Sequence, residues 1–452
     1  MAKGKQSKAV QLLESEADEL KGLLREKPKS GKLGAYDLGW LKLFRDNNYL
    51  DVIEREGFFR ISPTEIKDGS GMEPRLMCKH DFRSAQPEIF RQENLSILPL
   101  TRTEYVVGRF DTFHEFPDVS DLEITYIDIP EDIESLDFND LTSEAVALNA
   151  ASIAGIFEDF LGEERAVQTL SGRMSTRPMK VDLAIPSGRI DFEVNTQMEL
   201  DAGFETENSL VLVEAKNKLP DDFNIRQVYY PYLRFAQQVS KPVRNLYVTY
   251  SNGVFTVYEF TFRDLHDLQS IENGKVKRYK LRSRRLTLEV IRELAKAAPA
   301  RPSIVAPFPQ ADRFDRVINI CETLVDRGQM PVSEIPEDHG FVQRQANYYV
   351  SAGTYVGLLE NTAGEVELSE AGRKVMEEGD MASRQKGLIS MILADSTFRK
   401  AFLKHENPQE LTLPEVREIL AEEHPELSES TCGRRAQTVM AWIRWILAQV
   451  ES

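Results

Sequence analysis

The most constraining feature of the sequence is a strand-length apolar run that ends in charge. Residues 210–213 read Leu-Val-Leu-Val, and Glu214, Ala215 and Lys216 follow directly. A continuous apolar run of this length is typical of a strand that is buried on both faces of a sheet. Strand alternation places Glu214 and Lys216 on the same face. Because unpaired buried charge is costly, the run predicts an α/β fold with partnered charges at one strand end.

The preceding strand-like segment can supply those partners. If it forms a hairpin with the apolar run through a two-residue turn, Asp201 faces Glu214 and Glu199 faces Lys216. Cross-strand neighbours lie about 4.5–5.5 Å apart. This register predicts three carboxylates and one ammonium at the end of a single sheet face, whereas a bulge at residues 202–203 would shift it.

Such a cluster has the parts of a phosphodiester hydrolase. Two close carboxylates repel each other unless a positive charge lies between them. Mg²⁺ takes carboxylate oxygens and keeps several waters, one of which it can acidify while it polarises a phosphate oxygen. Lys216 would orient or deprotonate the attacking water. The alternative is a structural Glu–Lys pair at a strand end, because Glu-x-Lys triplets are common.

The same residues resemble a known nuclease motif. Asp201, twelve intervening residues and the triplet Glu-Ala-Lys resemble the PD-(D/E)XK motif, with Leu200 in place of its proline. The window QMELDAGFE…LVLVEAKN, followed by RQVYYPYLRF, is similar to a group of type II restriction endonucleases. The upstream segments EPRLMCKHDFRSAQPEIF, LSILPLTRTEYVVGRF and LSGRMS are similar to the same group, so the resemblance covers about residues 40–260. It implies an α/β (α+β) core with a mixed central sheet flanked by helices.

The resemblance also implies roles for particular residues. Asp201 and Glu214 would bind Mg²⁺, and Lys216 would be the catalytic lysine. Gln227, on the next helix, would help to hold the site. Relatives place a tyrosine four residues after this glutamine, whereas here Tyr230 follows after three and is interpreted as packing.

The family often adds an acid from the helix that precedes the sheet. We predict this helix over residues 142–162, with Thr142 as its cap. Glu144 and Glu158 both lie on it. The sequence does not select between them.

A proline-rich stretch divides the chain. Residues 297–310 contain four prolines and show neither helical nor strand periodicity, which is typical of a linker. The predicted segments are an N-terminal helical extension (1–35), an N-terminal α/β domain and candidate for DNA recognition (36–140), the nuclease core (141–296), the linker (297–310), a winged-helix-like domain (311–380) and a C-terminal helical module (381–452).

The region beyond the linker is mainly α-helical, and its element order, ending in ELSEAGR, resembles a winged helix. In that fold the third helix enters a DNA groove. The predicted DNA-contacting residues here are Gln343, Arg344, Gln345 and Asn347 near the start of that helix, and Arg434 and Arg435 early in the last helix. The alternatives are a winged helix used for dimerisation or domain packing, and charged residues of a solvated helix face.

The distribution of charge along the chain bears on where DNA would bind. The chain carries 56 basic and 73 acidic residues, a net charge of −17, which argues against a non-specific nucleic-acid coat. The stretch of residues 275–285 differs, because seven of its eleven residues are basic and none is acidic. Its cations are Lys275, Lys277, Arg278, Lys280, Arg282, Arg284 and Arg285. They would either follow DNA phosphates or protect a solvated edge strand.

Together these features predict a type II restriction enzyme, a Mg²⁺-dependent endonuclease that cuts double-stranded DNA at specific sequences. No phosphate-binding GxxxxGK[ST] loop occurs, so cutting would not need nucleotide hydrolysis. The sequence has no methyltransferase motif, so a separate cognate DNA methyltransferase would protect the host. Duplex cutting needs two active sites, which favours a homodimer. We weigh this against a modification-dependent or repair nuclease, and against a non-catalytic DNA-binding regulator on a lapsed nuclease fold.

The location of the protein follows from what its sequence lacks. No apolar run reaches the roughly 18 residues of a membrane span, and the first residues have no signal-peptide core. Three distant cysteines encode neither a disulfide framework nor a local zinc cluster. We therefore predict a cytoplasmic protein without a membrane partner.

Overall fold

The structure is a computed structural model with a mixed α/β architecture and a central sheet flanked by helices. It describes residues 10–11, 13–28, 33–130, 133–138, 141–282, 286–298, 307–378 and 381–450. Arg284, Arg285, the side chain of Arg282 and most of the predicted linker lie outside the described residues. Within those ranges no helix has both the length and the apolar character needed to cross a membrane.

An N-terminal module packs short helices on a three-stranded antiparallel sheet of order β1-β3-β2. Its elements are α1 (Ala17–Leu20), α2 (Ala35–Asn47), α3 (Tyr49–Glu56), β1 (Phe58–Ile61), α4 (Pro63–Ser70), α5 (Pro74–Met77), α6 (Glu88–Glu93), β2 (Ser96–Thr101) and β3 (Glu104–Gly108). The fully buried Trp40 ring meets Phe90 edge-on with centroids 4.8 Å apart, and its indole N–H donates to the Met77 carbonyl. Aromatic burial therefore anchors this module.

The central sheet has seven strands in the order β5-β14-β13-β12-β10-β9-β6. The elements of this region are β4 (Phe113–Glu115), β5 (Ile124–Asp128), α7 (Glu144–Ile153), α8 (Ile156–Leu161), β6 (Val167–Ser175), β7 (Met179–Ile185), β8 (Gly188–Val194), β9 (Gln197–Glu205), β10 (Leu210–Lys216), β11 (Asp222–Asn224), α9 (Arg226–Ala236), β12 (Val243–Ser251), β13 (Val254–Phe262) and β14 (Ile271–Arg282). The sheet is mixed, because β10 pairs with β12 and β14 with β5 in parallel while the other neighbours are antiparallel.

Strand β10 lies in the interior of this sheet, as its apolar run predicts. Val211 and Val213 pack into the core under α7 and α8, whereas Leu210 and Leu212 pack with α9. The four residues are at most 3% exposed. The β9–β10 hairpin has the predicted register, from the pair Leu210–Glu205 to the pair Val213–Ala202.

Two expectations around the hairpin are wrong. The strand-like segment before the apolar run, residues 190–201, was predicted as one strand but is not, because β8 pairs with β7 in a separate ribbon and β9 begins only at Gln197. The chain leaves the ribbon at Asn195, whose backbone N–H donates to Leu100 instead. The helix predicted over residues 142–162 is two helices, because Gly155 adopts a left-handed φ of 76° between them. Ser143, not Thr142, caps the first, since its hydroxyl accepts from the Val146 N–H.

The C-terminal region is mainly helical around one apolar core. Its elements are α10 (Leu288–Ala297), α11 (Phe314–Arg327), β15 (Gln329–Pro331), α12 (Ile335–His339), α13 (Gln343–Tyr355), β16 (Leu359–Thr362), β17 (Glu365–Leu368), α14 (Glu370–Met376), α15 (Met381–Leu393), α16 (Ser396–Leu403), α17 (Leu413–Glu423) and α18 (Glu429–Leu447). The small sheet has the order β15-β17-β16. The fully buried Trp442 packs against Phe314 and Phe398, and so joins α18 to α11 and α16.

Candidate active site

The end of β10 holds the charged residues that the sequence singles out. Beyond Val213 the hairpin partner β9 no longer pairs with β10, and Asp201 Oδ2 accepts a hydrogen bond of 2.8 Å from the Ala215 N–H. Leu200 packs with α9, whereas Ala202 packs on the opposite sheet face, so the alternation of side chains breaks at Asp201. This break turns the Asp201 carboxylate toward the end of β10.

Lys216 lies at the centre of the cluster. Its Nζ donates to Glu214 Oε1 at 2.7 Å and to the Ala215 carbonyl at 2.8 Å. It also lies 3.8 Å from Glu144 Oε1 and 4.0 Å from Asp201 Oδ2. Carboxylates from three separate elements, α7, β9 and β10, therefore surround one ammonium.

The third carboxylate is not the one that strand alternation predicts. Glu199 was expected to face Lys216, but β6 pairs with β9 there and Arg173 binds Glu199 at 3.4 Å. Glu144, at the start of α7, takes that place beside Lys216. Glu158 instead accepts from the Ala166 N–H and does not reach the cluster. The structure thus selects between the two helix acids that the sequence left open.

The electrostatics of the cluster reflect crowded carboxylates under partial burial. Burial raises the pKa of Glu214 to about 7, with a further rise from the Asp201 charge and an opposing effect from Lys216. Burial by itself would lower the pKa of Lys216, but Glu214 and the other nearby negative groups outweigh it and hold that pKa well above its usual value. Lys216 is therefore a protonated ammonium in this arrangement. The Glu144 and Asp201 side chains remain 41% and 23% exposed, so the cluster is open to a substrate.

Gln227 joins the cluster from α9. Its Nε2 donates to Glu214 Oε1 at 2.7 Å, the oxygen that also accepts from Lys216. Tyr230 does not reach the site, since its hydroxyl donates to the Pro99 carbonyl and its ring is fully buried in the core. The interpretation of Tyr230 as a packing residue is therefore confirmed.

Sequence reasoning missed Tyr247. It lies on β12 directly beside Glu214 in the parallel register, and it is fully buried. Phe116 and Phe223 hold its ring, with centroids 5.0 and 4.9 Å away. Its hydroxyl has no hydrogen-bond partner among the described residues, although the charges of Lys216 and Glu214 act on it. Burial holds its pKa far above the usual value, so the hydroxyl stays a donor.

We expect Tyr247→Phe to lower catalysis without lowering stability. A buried hydroxyl without a partner costs about 1–3 kcal/mol, so its removal should leave Tm unchanged or raise it. If the hydroxyl positions a water or substrate oxygen beside Glu214, turnover should fall about tenfold, the value of one hydrogen bond. Thermal denaturation and turnover rates would be compared with those of Tyr258→Phe, its cross-strand neighbour. Equal turnover in the two variants would contradict the positioning role.

The cluster offers a hard cation three oxygen donors. Glu214 Oε1, the Ala215 carbonyl and Asp201 Oδ2 already surround a positive group, the Lys216 ammonium. All three are oxygens, the donors that Mg²⁺ prefers, and Mg²⁺ completes its shell with water. Across the described ranges, however, no three Asp, Glu, His or Cys side chains converge as a metal centre of their own.

Two of the DNA-contacting residues predicted in the C-terminal region, Arg344 and Arg435, lie near a common tyrosine. Helix α13 starts at Gln343, and exposed Arg344 donates to the Tyr348 hydroxyl at 2.8 Å. Arg435 of α18 lies close enough to Tyr348 for its pKa to respond, although burial is the main cause that lowers it. Its Nε and Nη1 are buried and have no partner among the described residues. The other members lie early in the same two helices, Gln343, Gln345 and Asn347 on α13 and Arg434 on α18.

The basic run does not form a free cationic surface. It is β14, which lies between β13 and β5, so the alternative of a solvated edge strand is wrong. Lys277 pairs with Asp159 at 2.8 Å, and Lys280 is buried against Gln449. Lys275 donates to the Phe160 carbonyl, and Arg278 to two carbonyls before β5. Each cation of the run whose side chain the structure describes therefore has at least one intramolecular partner.

Comparison with known proteins gives three domain matches that leave the activity open. Residues 37–107, 108–280 and 316–451 match three domains of unknown function, DUF6996, DUF6997 and DUF7226 respectively. The candidate site lies within the second of these. No curated protein and no solved structure matches the chain.

Proposed function

We propose that the protein is a Mg²⁺-dependent endonuclease that cuts double-stranded DNA at specific sequences, in the manner of type II restriction enzymes. The observation that carries the proposal is the cluster at the end of β10. There Asp201, Glu214 and Glu144 converge from three elements on the single ammonium of Lys216. Such crowding of carboxylates has no evident structural benefit, because a single buried ion pair would need only one of them.

The topology around the cluster supports the same proposal. An antiparallel hairpin, β9–β10, is followed by helix α9 and then by β12 in parallel with β10. A mixed central sheet flanked by helices is what the resemblance to PD-(D/E)XK nucleases implies for the core. The acids of that motif lie on the hairpin and the glutamine on the helix, as Asp201, Glu214 and Gln227 do here.

In this proposal each side chain has a distinct task. Asp201, Glu214 and the Ala215 carbonyl would hold Mg²⁺, which when bound acidifies a water and polarises a phosphate oxygen. The Ala215 N–H fixes the Asp201 carboxylate, and Gln227 fixes that of Glu214. Lys216 would then orient the attacking water and offset charge that develops on the phosphate, because it stays protonated among the carboxylates.

A composite surface supports DNA as the substrate. The element order α11-β15-α12-α13-β16-β17-α14 resembles that of a winged helix, in which α13 would be the third helix. Arg344 and Tyr348 of α13 lie beside Arg435 of α18. The guanidinium of Arg344 is exposed on a helix that can enter a groove, which suits phosphate or base contacts. We assign DNA recognition to this surface rather than to β14.

We expect Arg344→Ala and Arg435→Ala to weaken DNA binding while leaving the chemical step intact. Loss of a phosphate contact should weaken binding at all sequences and reduce the salt slope by about one, whereas loss of a base contact should cost about 1–3 kcal/mol at one base pair. Binding would be measured with Ca²⁺ over a salt series, and single-turnover cleavage at saturating enzyme. Lys180→Ala, which removes an exposed lysine of β7, is the control. Unchanged binding in both arginine variants would refute this surface.

A metal titration of the Asp201→Ala protein tests the catalytic proposal. The wild-type protein should bind Mg²⁺ or Mn²⁺ in calorimetry, and Asp201→Ala should lose that heat because one of two carboxylate ligands is gone. Glu199→Ala removes a nearby exposed carboxylate that Arg173 holds, and it should bind metal normally. Absence of metal binding in the wild-type protein would instead favour a DNA-binding regulator on a lapsed nuclease fold.

The remaining features of the proposal concern partners. A homodimer would bring two clusters to the two strands of the duplex. A separate cognate methyltransferase would mark the recognition sequence in the host. Cleavage only of methylated DNA would instead assign the chain to modification-dependent nucleases.

A further inference from the structure

A basic cleft lies in the C-terminal region, formed by helices that the proposed active site does not use. It is bounded by α10, α16 and α17 and has a volume of about 520 Å³. Its charged lining residues are Lys296, Arg399, Lys400, Lys404 and Glu422. Ala295, Leu403 and Ile419 form its apolar part.

The charge of this cleft runs against that of the chain. Four cations and one carboxylate line it, and Glu293 and Glu423 pair with two of those cations, so four cations face three carboxylates in a protein with a net charge of −17. Lys296 lies on α10, Arg399 and Lys400 lie on α16, and Lys404 directly follows α16. Like charges that share one cleft repel each other unless an anion lies between them. The cleft is therefore locally basic, whereas the chain as a whole is acidic.

The contacts that the four cations of the cleft make within the chain leave most of their N–H donors available. Lys296 pairs with Glu293 at 2.8 Å, Lys400 pairs with Glu423, and Arg399 Nη1 donates to the Ala298 carbonyl at 2.8 Å. Each contact uses one donor of a group that has three or five. The exposed side chain of Lys404, at the rim, makes no hydrogen bond or ion pair within the part of the chain that the structure describes, and only its backbone N–H donates, to the Ala401 carbonyl.

We propose that this cleft binds phosphate groups. Arginine and lysine are the side chains that bind phosphate oxygens, and the apolar floor would receive the uncharged part of the same ligand. The phosphate could belong to the backbone of bound DNA or to a free nucleotide. The first source rests on the proposed function and would extend the DNA surface to a second point, while the second would make the cleft an effector site.

The test is the double variant Lys296→Glu/Lys404→Glu in the full chain. Lys27→Glu/Lys180→Glu is the matched control, since it makes the same charge change at two other exposed lysines. Thermal denaturation would establish that both fold, and the single variant Lys404→Glu provides a milder change. All binding is measured in EDTA, so that the result does not depend on cleavage.

Two arms distinguish the sources of phosphate. With a 30-base-pair duplex over a salt series, the cleft variant should reduce the slope of log K against log salt by about two relative to the control. With ADP and inorganic pyrophosphate in calorimetry, the wild-type protein and the control should bind while the cleft variant binds at least about tenfold more weakly. An effect in either arm supports the cleft and names its ligand. Cleft variants that equal the control in both arms overturn the proposal, whereas loss of Mg²⁺-dependent cleavage alone would bear only on the proposed active site.

Discussion

Lys216→Ala should lower the rate of DNA cleavage by at least about 10²-fold, the lower bound for loss of one positioned acid–base group. The reason is geometric. Lys216 Nζ is held by Glu214 and the Ala215 carbonyl and lies within 4.0 Å of Asp201, so its ammonium lies directly beside the groups that would hold the metal. Single-turnover cleavage, with DNA binding in Ca²⁺ measured beside it, checks the prediction. Binding should stay near wild type, because the proposed recognition surface lies on α13 and α18.

A charge-conserving variant separates the chemical role from a structural one. Lys216→Ala leaves carboxylates uncompensated and so should also lower stability. Lys216→Arg keeps the charge but replaces the compact ammonium with a planar fork, which is not equivalent at such a site. It should therefore keep most of the stability and still lose cleavage. Arg173→Ala, which breaks the exposed pair with Glu199, is the control. Near-wild-type cleavage by Lys216→Arg would mean that Lys216 only balances charge.

Trp442→Ala should be the most destabilising of these substitutions, by about 3–5 kcal/mol. Its ring is fully buried between Phe314 and Phe398, with centroid distances of 4.7 and 4.9 Å. Its indole N–H also donates to the Ala311 carbonyl at 2.7 Å, so the variant leaves a cavity and an unsatisfied acceptor. Urea denaturation of the full chain measures the loss. Trp445→Ala, which removes a partly exposed ring from the same helix, should cost clearly less.

A loss below about 1 kcal/mol in Trp442→Ala would contradict the single C-terminal core. In that case α18 would not be held to α11 and α16 by this ring. The DNA surface shared by α13 and α18 would then lose its structural basis, since Trp442 fixes α18 in place.

The parts of the fold that follow from local pattern are predictable from the sequence. Residues 210–213 define β10 because a continuous apolar run fits only a strand covered on both faces. The hairpin register followed because strand period 2 leaves few ways to pair two amphipathic strands. The cap at Ser143 and the break at Gly155 were not predicted, because neighbouring Thr142 is an equally good cap and a glycine inside a helical pattern is often tolerated.

The candidate site likewise contains residues that the sequence predicts and residues that only the structure brings in. Asp201, Glu214 and Lys216 lie within 15 residues of each other in the sequence, so the local pattern and the motif that it resembles single them out together. Glu144 and Tyr247 come from distant segments, and only the packing of α7 and the parallel pairing of β12 bring them to β10. Glu199 was misplaced because the pattern does not show that β6 covers that edge of β9 and supplies Arg173. Contacts between distant segments carry no local signal, and these decide which acids reach Lys216.

Digestion of unmethylated phage DNA with and without Mg²⁺, followed by sequencing of the fragment ends, tests whether the protein is a Mg²⁺-dependent, sequence-specific endonuclease. We expect discrete fragments with a common terminal sequence in Mg²⁺, none in EDTA, and none with Asp201→Ala in Mg²⁺. Intact DNA after incubation with a preparation that binds both DNA and Mg²⁺, or the same fragments from Asp201→Ala, would contradict it.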